Sequence, residues 1–590
     1  MSIERATAAG PEAALDVLRT VEENLPAITA IHRSRSAEEA AAGCDLVDQL
    51  PLLCVSSTLD NVYDTDAVLI IDQGGNDVYR NNAGIAPFLP EGASAYIPIG
   101  ISIDLAGNDT YQEMADRMIQ GSAIATGGGQ MGGIGISVDY AGNDEYVARI
   151  PDANEGIPQP TGPSNLGLVV GQGGGAMSGS GLLFDLGGND AYRVFPGPDA
   201  RPSDNRTVSA QGGGVSCGGV FHVPPNPPPY RAPNHCPSTG ALIDTGKGND
   251  EYEVDLGSYS SPTEKRMHTL YAQGAGGLGV GVLVDDGGSD SLSVRSHQHG
   301  VTTYTSVGGP QPLESPPPDS FLWAQGAAVG GGLGIASFGE GDTTYSLDLP
   351  ADELGITRAS AQGAGVFGGL GALDDLGGND TYEMRSEAVL NPVAEVTSDC
   401  GGATAVPCKA DFFVNAYNGV AQRAIYGQGY GDSEGVGLLR DSAGNDTYRA
   451  ANSIELTATL IDNAPADEGV PSMFVEGVIG PVAVVQGAAS VGATGFLTDA
   501  GGTDTYSHEL ENVTTARVES HSGRKPVVTA LDAGRRARGQ GFGTTGAVGV
   551  LLDSGGSGDR VNSSAIQRVT TPDSNGAFQW GGGIGAGAVQ

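Results

Sequence analysis

The chain has 590 residues and a formal net charge of −41, from 70 acidic and 29 basic residues. Phosphate recognition needs basic stripes, so nucleic acid is not an expected partner, and anionic membrane surfaces are disfavoured for the same reason. Charged residues make up only 17% and hydrophobic ones 39%, which argues against charge-driven disorder; no apolar run is long enough for a spanning helix, so no membrane insertion is expected.

The N-terminal stretch reads as helix. Leu15, Leu18, Val21, Leu25 and Ile28 fall three or four apart within residues 11–34. Ser36 with Glu39 forms a capping box that opens a second helix. Residues 1–62 are therefore expected to be a small α-helical cap, because a stacked repeat has an exposed end to cover. The opening "MSIERATAAGPEAALDV" holds no apolar signal core, so an exported chain would take its signal from outside this sequence.

From residue 63 onward one motif keeps returning. "DQGGNDVYR" begins at Asp72, "DLAGNDTYQ" at Asp104, "DYAGNDEYV" at Asp139 and "DLGGNDAYR" at Asp185. "DLGGNDTYE" follows at Asp375, "DSAGNDTYR" at Asp441 and "DAGGTDTYS" at Asp499. Eleven copies are counted, near residues 72, 104, 139, 185, 244, 285, 337, 375, 441, 499 and 553. Those at Asp244 and Asp553 carry one extra residue before the second aspartate, and the copy near Ser337 ("SFGEGDTTY") has lost its first. Upstream stands a Gln-Gly signature, at Gln172, Gln273, Gln362, Gln428, Gln486 and Gln540, always 12 or 13 residues before the motif Asp. From the motif Tyr to the next Gln the spacing varies freely, from 19 residues (Tyr192 to Gln211) to 46 (Tyr382 to Gln428).

A fixed core with variable inserts marks a solenoid. Each unit reads as three or four short strands: one into Gln-Gly, one of the "GVLVD" type and one of the "DAYRV" type. Gly and Asn make the tight turn between the last two. The expected fold is all-β, a right-handed parallel β-solenoid (β-helix) of about eleven irregular coils over residues 63–590. Long inserts are expected at about 193–210, 222–240, 293–324, 383–427, 449–485 and 507–539, projecting as arms from one side. A closed propeller is the competing architecture, but propellers have about four to eight blades. At about 4.8 Å per coil, the stack would form a rod of about 50 Å. "QWGGGIGAGAVQ", from Gln579, reads as half of a further unit, either a cap or the start of an incomplete coil.

The motif gathers hard oxygen donors. Two carboxylates and an Asn amide meet at a turn whose glycines let carbonyls approach, the donor type Ca²⁺ takes at about 2.3–2.6 Å with about six to eight oxygens. The candidate cation ligands are Asp72, Asn76 and Asp77; Asp104, Asn108 and Asp109; Asp139, Asn143 and Asp144; and Asp185, Asn189 and Asp190. They continue with Asp244, Asn249 and Asp250; Asp285 and Asp290; Asp375, Asn379 and Asp380; Asp441, Asn445 and Asp446; and Asp499 and Asp504. A metal-free ladder of Asp and Asn turns is the alternative, since these side chains bond local backbone N–H groups. That alternative must keep first-position aspartates in register a few ångströms apart. The motif tyrosine lies on the same strand face as the second Asp and should pack inward or stack on its equivalents. The Gln of Gln-Gly should form an internal amide ladder.

Other chemistry is sparse. Eight histidines are scattered; His297 and His299 share a strand face, but read as solvent-facing insert residues. No G-x-S-x-G, H-E-x-x-H or G-x-x-x-x-G-K-[ST] occurs. Six cysteines fall into local couples, Cys44/Cys54, Cys217/Cys236 and Cys400/Cys408, which suggest disulfides and an oxidising compartment; zinc is the rival reading.

The "GGND-x-Y" core resembles half of the RTX repeat, "GGxGxDxUx", whose turns form calcium-binding parallel β-rolls in secreted bacterial proteins. The likeness covers about eight residues per unit. The whole unit also resembles Gly/Asp-rich bacterial repeat proteins. The resemblance implies Ca²⁺ as the bound ion. The expected function is an exported structural or adhesive scaffold, at the cell surface or in the extracellular matrix. Its partners would be divalent cations and, through the inserts, carbohydrate or another surface protein. The alternative is a carbohydrate-active β-helix enzyme, a lyase or glycoside hydrolase, with its site among the inserts 383–427, 449–485 and 507–539.

Overall fold

The computed structural model describes residues 45–47, 50–56, 58–64, 67–80, 83–85, 99–112, 122–124, 126–130, 133–150, 166–196, 205–216, 238–256, 268–296, 319–349, 356–390, 393–396, 411–415, 423–462, 472–476, 482–520, 527–530, 537–538, 540–544, 546–554, 559–563, 576–580 and 583–588, with six residues between 19 and 27. Those six are helical; residues 45–47, 50–56 and 58–62 of the expected cap are instead strand and turn, and the rest of the cap lies outside the described residues.

The repeat folds as a parallel β-solenoid. One coil shows the plan. Strand Ile134–Asp139 runs into the motif turn, and strand Glu145–Ile150 leaves it. After the insert come Leu166–Val170, the Gln-Gly turn and the two-residue strand Gly175–Ala176. Ser180–Asp185 then begins the next coil directly over the first, with Asp139 paired to Asp185. Repetition generates sheet A of 15 strands, sheet B of 13, sheet C of 9 and sheet D of 8. Sheet A ends in motif aspartates, B carries motif tyrosines, and C runs into Gln-Gly. The register is parallel and unbroken: Asp104, Asp139, Asp185, Asp244 and Asp285 lie opposite one another in turn.

Among the described strand pairs, only those at the two ends of sheet A are antiparallel. Asp45–Val47 pairs with Leu50–Val55 at one end, and Gly576–Trp580 with Gly583–Ala588 at the other. Gln579 therefore lies in a hairpin and not in a Gln-Gly turn; Gly583–Ala588 takes the sheet A position over Val548–Leu552. Reversing the chain closes an open sheet edge without another full coil. At the N-terminal end the solenoid begins before residue 63. Leu50–Val55 lies parallel to Leu69–Asp72, and Val62–Tyr63 to Val78–Tyr79, so residues 50–63 form a first coil that the motif does not reveal.

Two turns per coil rest on left-handed backbone. At Gly171–Gly174 the Gly174 N–H donates to Gly171 O, around Gln172 (φ 48°) and Gly173 (φ 72°), which is type I′ geometry. A Cβ on Gly173 would stand 2.0 Å from Ala241 O, so only glycine fits there. Eight glutamines adopt this left-handed φ: Gln172, Gln211, Gln273, Gln325, Gln362, Gln428, Gln486 and Gln540. Their amides do not bond to one another. Each of the first seven donates from Nε2 to sheet B carbonyls of two successive coils: Gln273 bonds Tyr252 O at 2.9 Å and Ser293 O at 3.2 Å. Each glutamine thus ties the C–D corner to sheet B, which compensates a backbone conformation costing about 1–2 kcal/mol.

The core is a column of rings and aliphatics. Inward tyrosines stack on their equivalents with ring centroids 4.6–4.8 Å apart, from Tyr63 through Tyr79, Tyr111, Tyr146 and Tyr192 to Tyr252. The column resumes at Tyr345 and runs through Tyr382 and Tyr448 to Tyr506. Beside it lie Leu183, Leu242, Leu283, Leu373, Leu439 and Leu497, all fully buried.

Candidate functional site in the buried aspartate spine

The motif turn points both its aspartates inward. Every first and second Asp from Asp72 to Asp504 is at most 3% exposed. The chain turns there because the first carboxylate holds the turn from inside: its Oδ1 accepts the N–H two residues on, as in Gly187 N–H to Asp185 at 3.1 Å. The same bond recurs at Asp72, Asp104, Asp139, Asp244, Asp285, Asp375, Asp441 and Asp499.

The other oxygen of the first Asp takes the phenol of the preceding coil. Tyr146 donates to Asp185 at 2.8 Å, Tyr192 to Asp244 at 2.8 Å and Tyr252 to Asp285 at 2.8 Å. Tyr63, Tyr79, Tyr111, Tyr345, Tyr382 and Tyr448 do the same toward Asp72, Asp104, Asp139, Asp375, Asp441 and Asp499. Both oxygens of these first aspartates are thus engaged by protein donors. Bonds of this charge-assisted kind contribute about 1.5–3 kcal/mol each.

The second aspartate is half satisfied. Its Oδ1 accepts the backbone N–H of the second aspartate one coil below: Asp144 N–H to Asp190 at 2.6 Å, Asp190 to Asp250 at 2.6 Å, Asp380 to Asp446 at 2.7 Å. Its Oδ2 has no hydrogen-bond partner, at Asp77, Asp109, Asp144, Asp190, Asp250, Asp290, Asp380, Asp446, Asp504 and Asp559 alike. Its side chain lies beside the first row: carboxylate oxygens of Asp72, Asp77 and Asp104 lie within 4.8 Å of one another, as do those of Asp104, Asp109 and Asp139. Oxygens of Asp144, Asp185 and Asp190 all lie within 4.8 Å of one another, as do those of Asp190, Asp244 and Asp250. Clusters this close could hold a metal ion, and they repeat along the axis.

The asparagines stand apart from these clusters. Asn76, Asn108, Asn143, Asn189, Asn249, Asn379 and Asn445 are exposed on the outer edge of the turn. Their Oδ1 atoms hold the neighbouring turn: Asn143 accepts from Asn189 N–H at 2.9 Å, Asn189 from Asn249 N–H at 2.9 Å. The expected ligand triplets therefore divide into a buried carboxylate pair and an outer amide ladder.

Burial raises the carboxyl pKa values, and the neighbouring aspartates add to it. Burial first, then the charge of Asp139, pushes Asp144 up to about 10. Burial and Asp375 push Asp380 up to about 8, against about 6 for Asp375. Asp446 rises to about 9 and Asp441 to about 7. The order reverses where the turn has its extra residue: Asp244 rises to about 10 and Asp250 to about 7. No Lys or Arg residue is buried among the described residues, although the Nε atoms of Arg80 and Arg149 are.

One coil breaks the pattern, and its register differs from the sequence reading. Phe338, not Ser337, lies opposite Asp285 and Asp375, so it occupies the first-Asp row. Thr343 occupies the second row, since its N–H donates to Asp380 at 2.6 Å; Asp342 stands in the Asn row, accepting from Asn379 N–H at 2.8 Å. In the coil below, the tyrosine row holds Leu292. Three changes thus coincide: no phenol below, no carboxylate in either row above. The vacated volume is filled by the Phe338 ring, edge-on to Tyr252 at 6.2 Å and to Tyr345 at 5.3 Å. The first coil repeats the rule. No tyrosine coil precedes it among the described residues; Ser56 stands opposite the Asp72 position, and Asn61 in the second row donates its N–H to Asp77. Carboxylates appear where a phenol from the coil below can reach them.

Cys54 is fully buried and disulfide-bonded. The other cysteines lie outside the described residues, as do His297 and His299. No helix among the described residues is long and apolar enough to cross a membrane. No protein-family model, no curated protein and no solved structure matches the chain, so its function has to be argued from this geometry.

Proposed function

We propose that the chain is an exported structural scaffold whose solenoid carries recognition arms for carbohydrate or another surface protein. The observation that supports this reading is uniformity. The Tyr–Asp–Asp set is built alike in coil after coil, and among the described residues the one buried histidine, His508, stands opposite Ala450, in the apolar row and not in the aspartate rows. A catalytic pair needs two carboxyls placed in contrasting environments; a repeated pair serves every coil equally.

The arms support the recognition half. Sheet B strands lengthen at one end of the stack: Thr381–Leu390, then Thr447–Asp462 and Thr505–Ser520 of 16 residues each, paired in parallel throughout. Asp411–Asn415, Ser472–Glu476 and Val527–Ala530 form a separate three-stranded sheet from the same inserts. Successive inserts therefore repeat at the coil spacing, which suits a partner that is itself extended and repetitive.

The test compares the full chain with variants in which residues 393–422, 463–481 or 521–536 are replaced by short Gly/Ser links. Binding to immobilised polysaccharides and to intact bacterial surfaces is measured together with release of new reducing or unsaturated sugar ends. Binding that is lost with the inserts while the solenoid still folds supports the scaffold. Turnover of polysaccharide by the full chain establishes the enzyme alternative instead.

A further inference from the structure

The spine poses a charge problem that its hydrogen bonds do not solve. Each set from Asp72 to Asp504 buries two carboxyl groups, at most 3% exposed, and no Lys or Arg residue is buried among the described residues. Two full charges per coil at such spacing are too costly to leave uncompensated. The first-row Asp has a donor on each oxygen. The second-row Asp has a donor on Oδ1 and none on Oδ2, and its carboxyl lies within 4.8 Å of a first-row carboxyl. What is missing in each coil is one positive charge at one oxygen.

A calcium shell asks more than the set provides. It takes about six to eight oxygens. The asparagine oxygens that the sequence suggested are exposed and already hold the neighbouring turn. The first-row oxygens carry a backbone N–H and a phenol. From Asp72 to Asp504 only the second-row Oδ2 is bare among the carboxylate oxygens of the two rows, one atom per set; both oxygens of Asp553 are bare as well.

We propose that one aspartate of each set is the acid form, and that in the sets with the five-residue spacing it is the second, its Oδ2 carrying a proton that it donates to the first-row carboxylate, so that the spine takes up one proton per set from solvent as it folds. The bond is O–H···O⁻ between two carboxyls, and the first Asp remains the anion that the phenol and the turn N–H stabilise. For Asp144 the facing groups are Asp139 in its own turn and Asp185 and Asp190 in the coil above; Asp190 accepts its N–H. Tyr111 and Tyr146 reach the site through Asp139 and Asp185. The raised pKa of Asp144, from burial and then from Asp139, agrees with this assignment.

The chain itself supplies the control. Where the second row lacks Asp it holds Asn61 or Thr343, both uncharged, and both keep the backbone bond to the coil above, Asn61 to Asp77 and Thr343 to Asp380. A position that accepts a neutral amide or hydroxyl behaves as the neutral member of the pair. The proposal is independent of the scaffold reading, because it concerns only the interior.

The experiment uses the full chain, metal-stripped, with EDTA or with added CaCl₂, and the variant Asp144→Asn, whose amide can donate where the acid did. The expected results are a carboxylic-acid infrared band in the native protein at pH 7, melting curves unchanged by chelator or calcium, and Asp144→Asn melting at pH 7 no lower than the parent with a weaker pH dependence. If that variant does not fold, titration of the parent decides: about ten protons beyond the exposed groups should leave the native protein as pH rises from about 6 to 10, one per set. Absence of the acid band, or calcium that raises the melting temperature and binds at several sites per chain, with Asp144→Asn weakening that binding, overturns the proposal and places a metal ion in the spine.

Discussion

The coils on either side of Asp185 and the coil at Phe338 solve the same packing problem with opposite chemistry. Around Asp185 the interior is polar: Tyr146 and Tyr192 donate to its carboxylate at 2.8 and 3.1 Å, and Asp190 stands beside it. Around Phe338 it is apolar: Leu292 below, a phenyl ring in the first row, a threonine in the second. The backbone passes through both in the same register. The polar set is therefore not needed to form a coil; it is needed as a whole once any member is present. A phenol without its carboxylate, or a carboxylate without its phenol, leaves a buried group unpaired.

The largest effect expected from this contrast is on pH stability. Asp77 and Asp109 are held up to about 8 and Asp144 up to about 10, from an unfolded value of 3.8. A raised folded value contributes stability that is fully present below the unfolded value and lost as pH climbs through the folded one. The melting temperature should therefore fall from about pH 4 to about pH 8 and level off by about pH 10. Thermal melts followed by circular dichroism at fixed ionic strength measure it; a flat profile would contradict a protonated spine.

Next in size is loss of a ring from the polar column. Tyr192→Ala removes a stacked ring and the donor to Asp244, and should destabilise by about 3–5 kcal/mol in denaturant titration. Tyr192→Phe keeps the ring and should cost about 1.5–3 kcal/mol. Near equality of the two would mean that the phenol proton carries the whole effect.

Rewriting the apolar coil sharpens the comparison further. Leu292→Tyr alone should destabilise by about 1–3 kcal/mol, because its ring meets Phe338 and its hydroxyl finds no carboxylate. Adding Phe338→Asp and Thr343→Asp should recover that loss and add one more pH-dependent set. A multiple-mutant cycle reads the coupling; simple additivity would refute the idea that the three rows act as a unit.

Smaller changes fall on the corners and the surface. Gln273→Gly relaxes the left-handed backbone but loses the bonds to Tyr252 and Ser293 carbonyls; a net loss of about 1–2 kcal/mol is expected. Arg193→Ala, which breaks exposed pairs with Glu145 at 2.8 Å and Glu251 at 2.7 Å, should change stability by about 0–1 kcal/mol and less in high salt. It serves as the solvent-side control for the buried spine.

The solenoid was legible because its signal is repetition: an Asp pair and a Gln-Gly at fixed spacing imply identical short strands whatever the inserts do. Tyrosine stacking followed from the period of two. Three things were not legible. The first coil, at Ser56 to Tyr63, lacks the glycines and both aspartates, so no motif marks it. The copy near residue 337 was aligned on Asp342, which the structure puts in the Asn row, with Phe338 in the first-Asp row. Gln325 escaped because its downstream aspartate is absent.

By itself the sequence determined that two carboxyls recur in every turn, that glycine and glutamine mark the corners, and that a tyrosine follows on the inward face. These are local matters of turn conformation and strand period. Which oxygen of which aspartate is satisfied was decided only by stacking. The phenol that reaches Asp185 comes from Tyr146, 39 residues earlier, and the N–H that reaches Asp190 comes from Asp144, 46 residues earlier. A spacing that varies with every insert hides such partners in the chain. The coil-to-coil register fixes them, because each turn's donors point along the axis at the turn above.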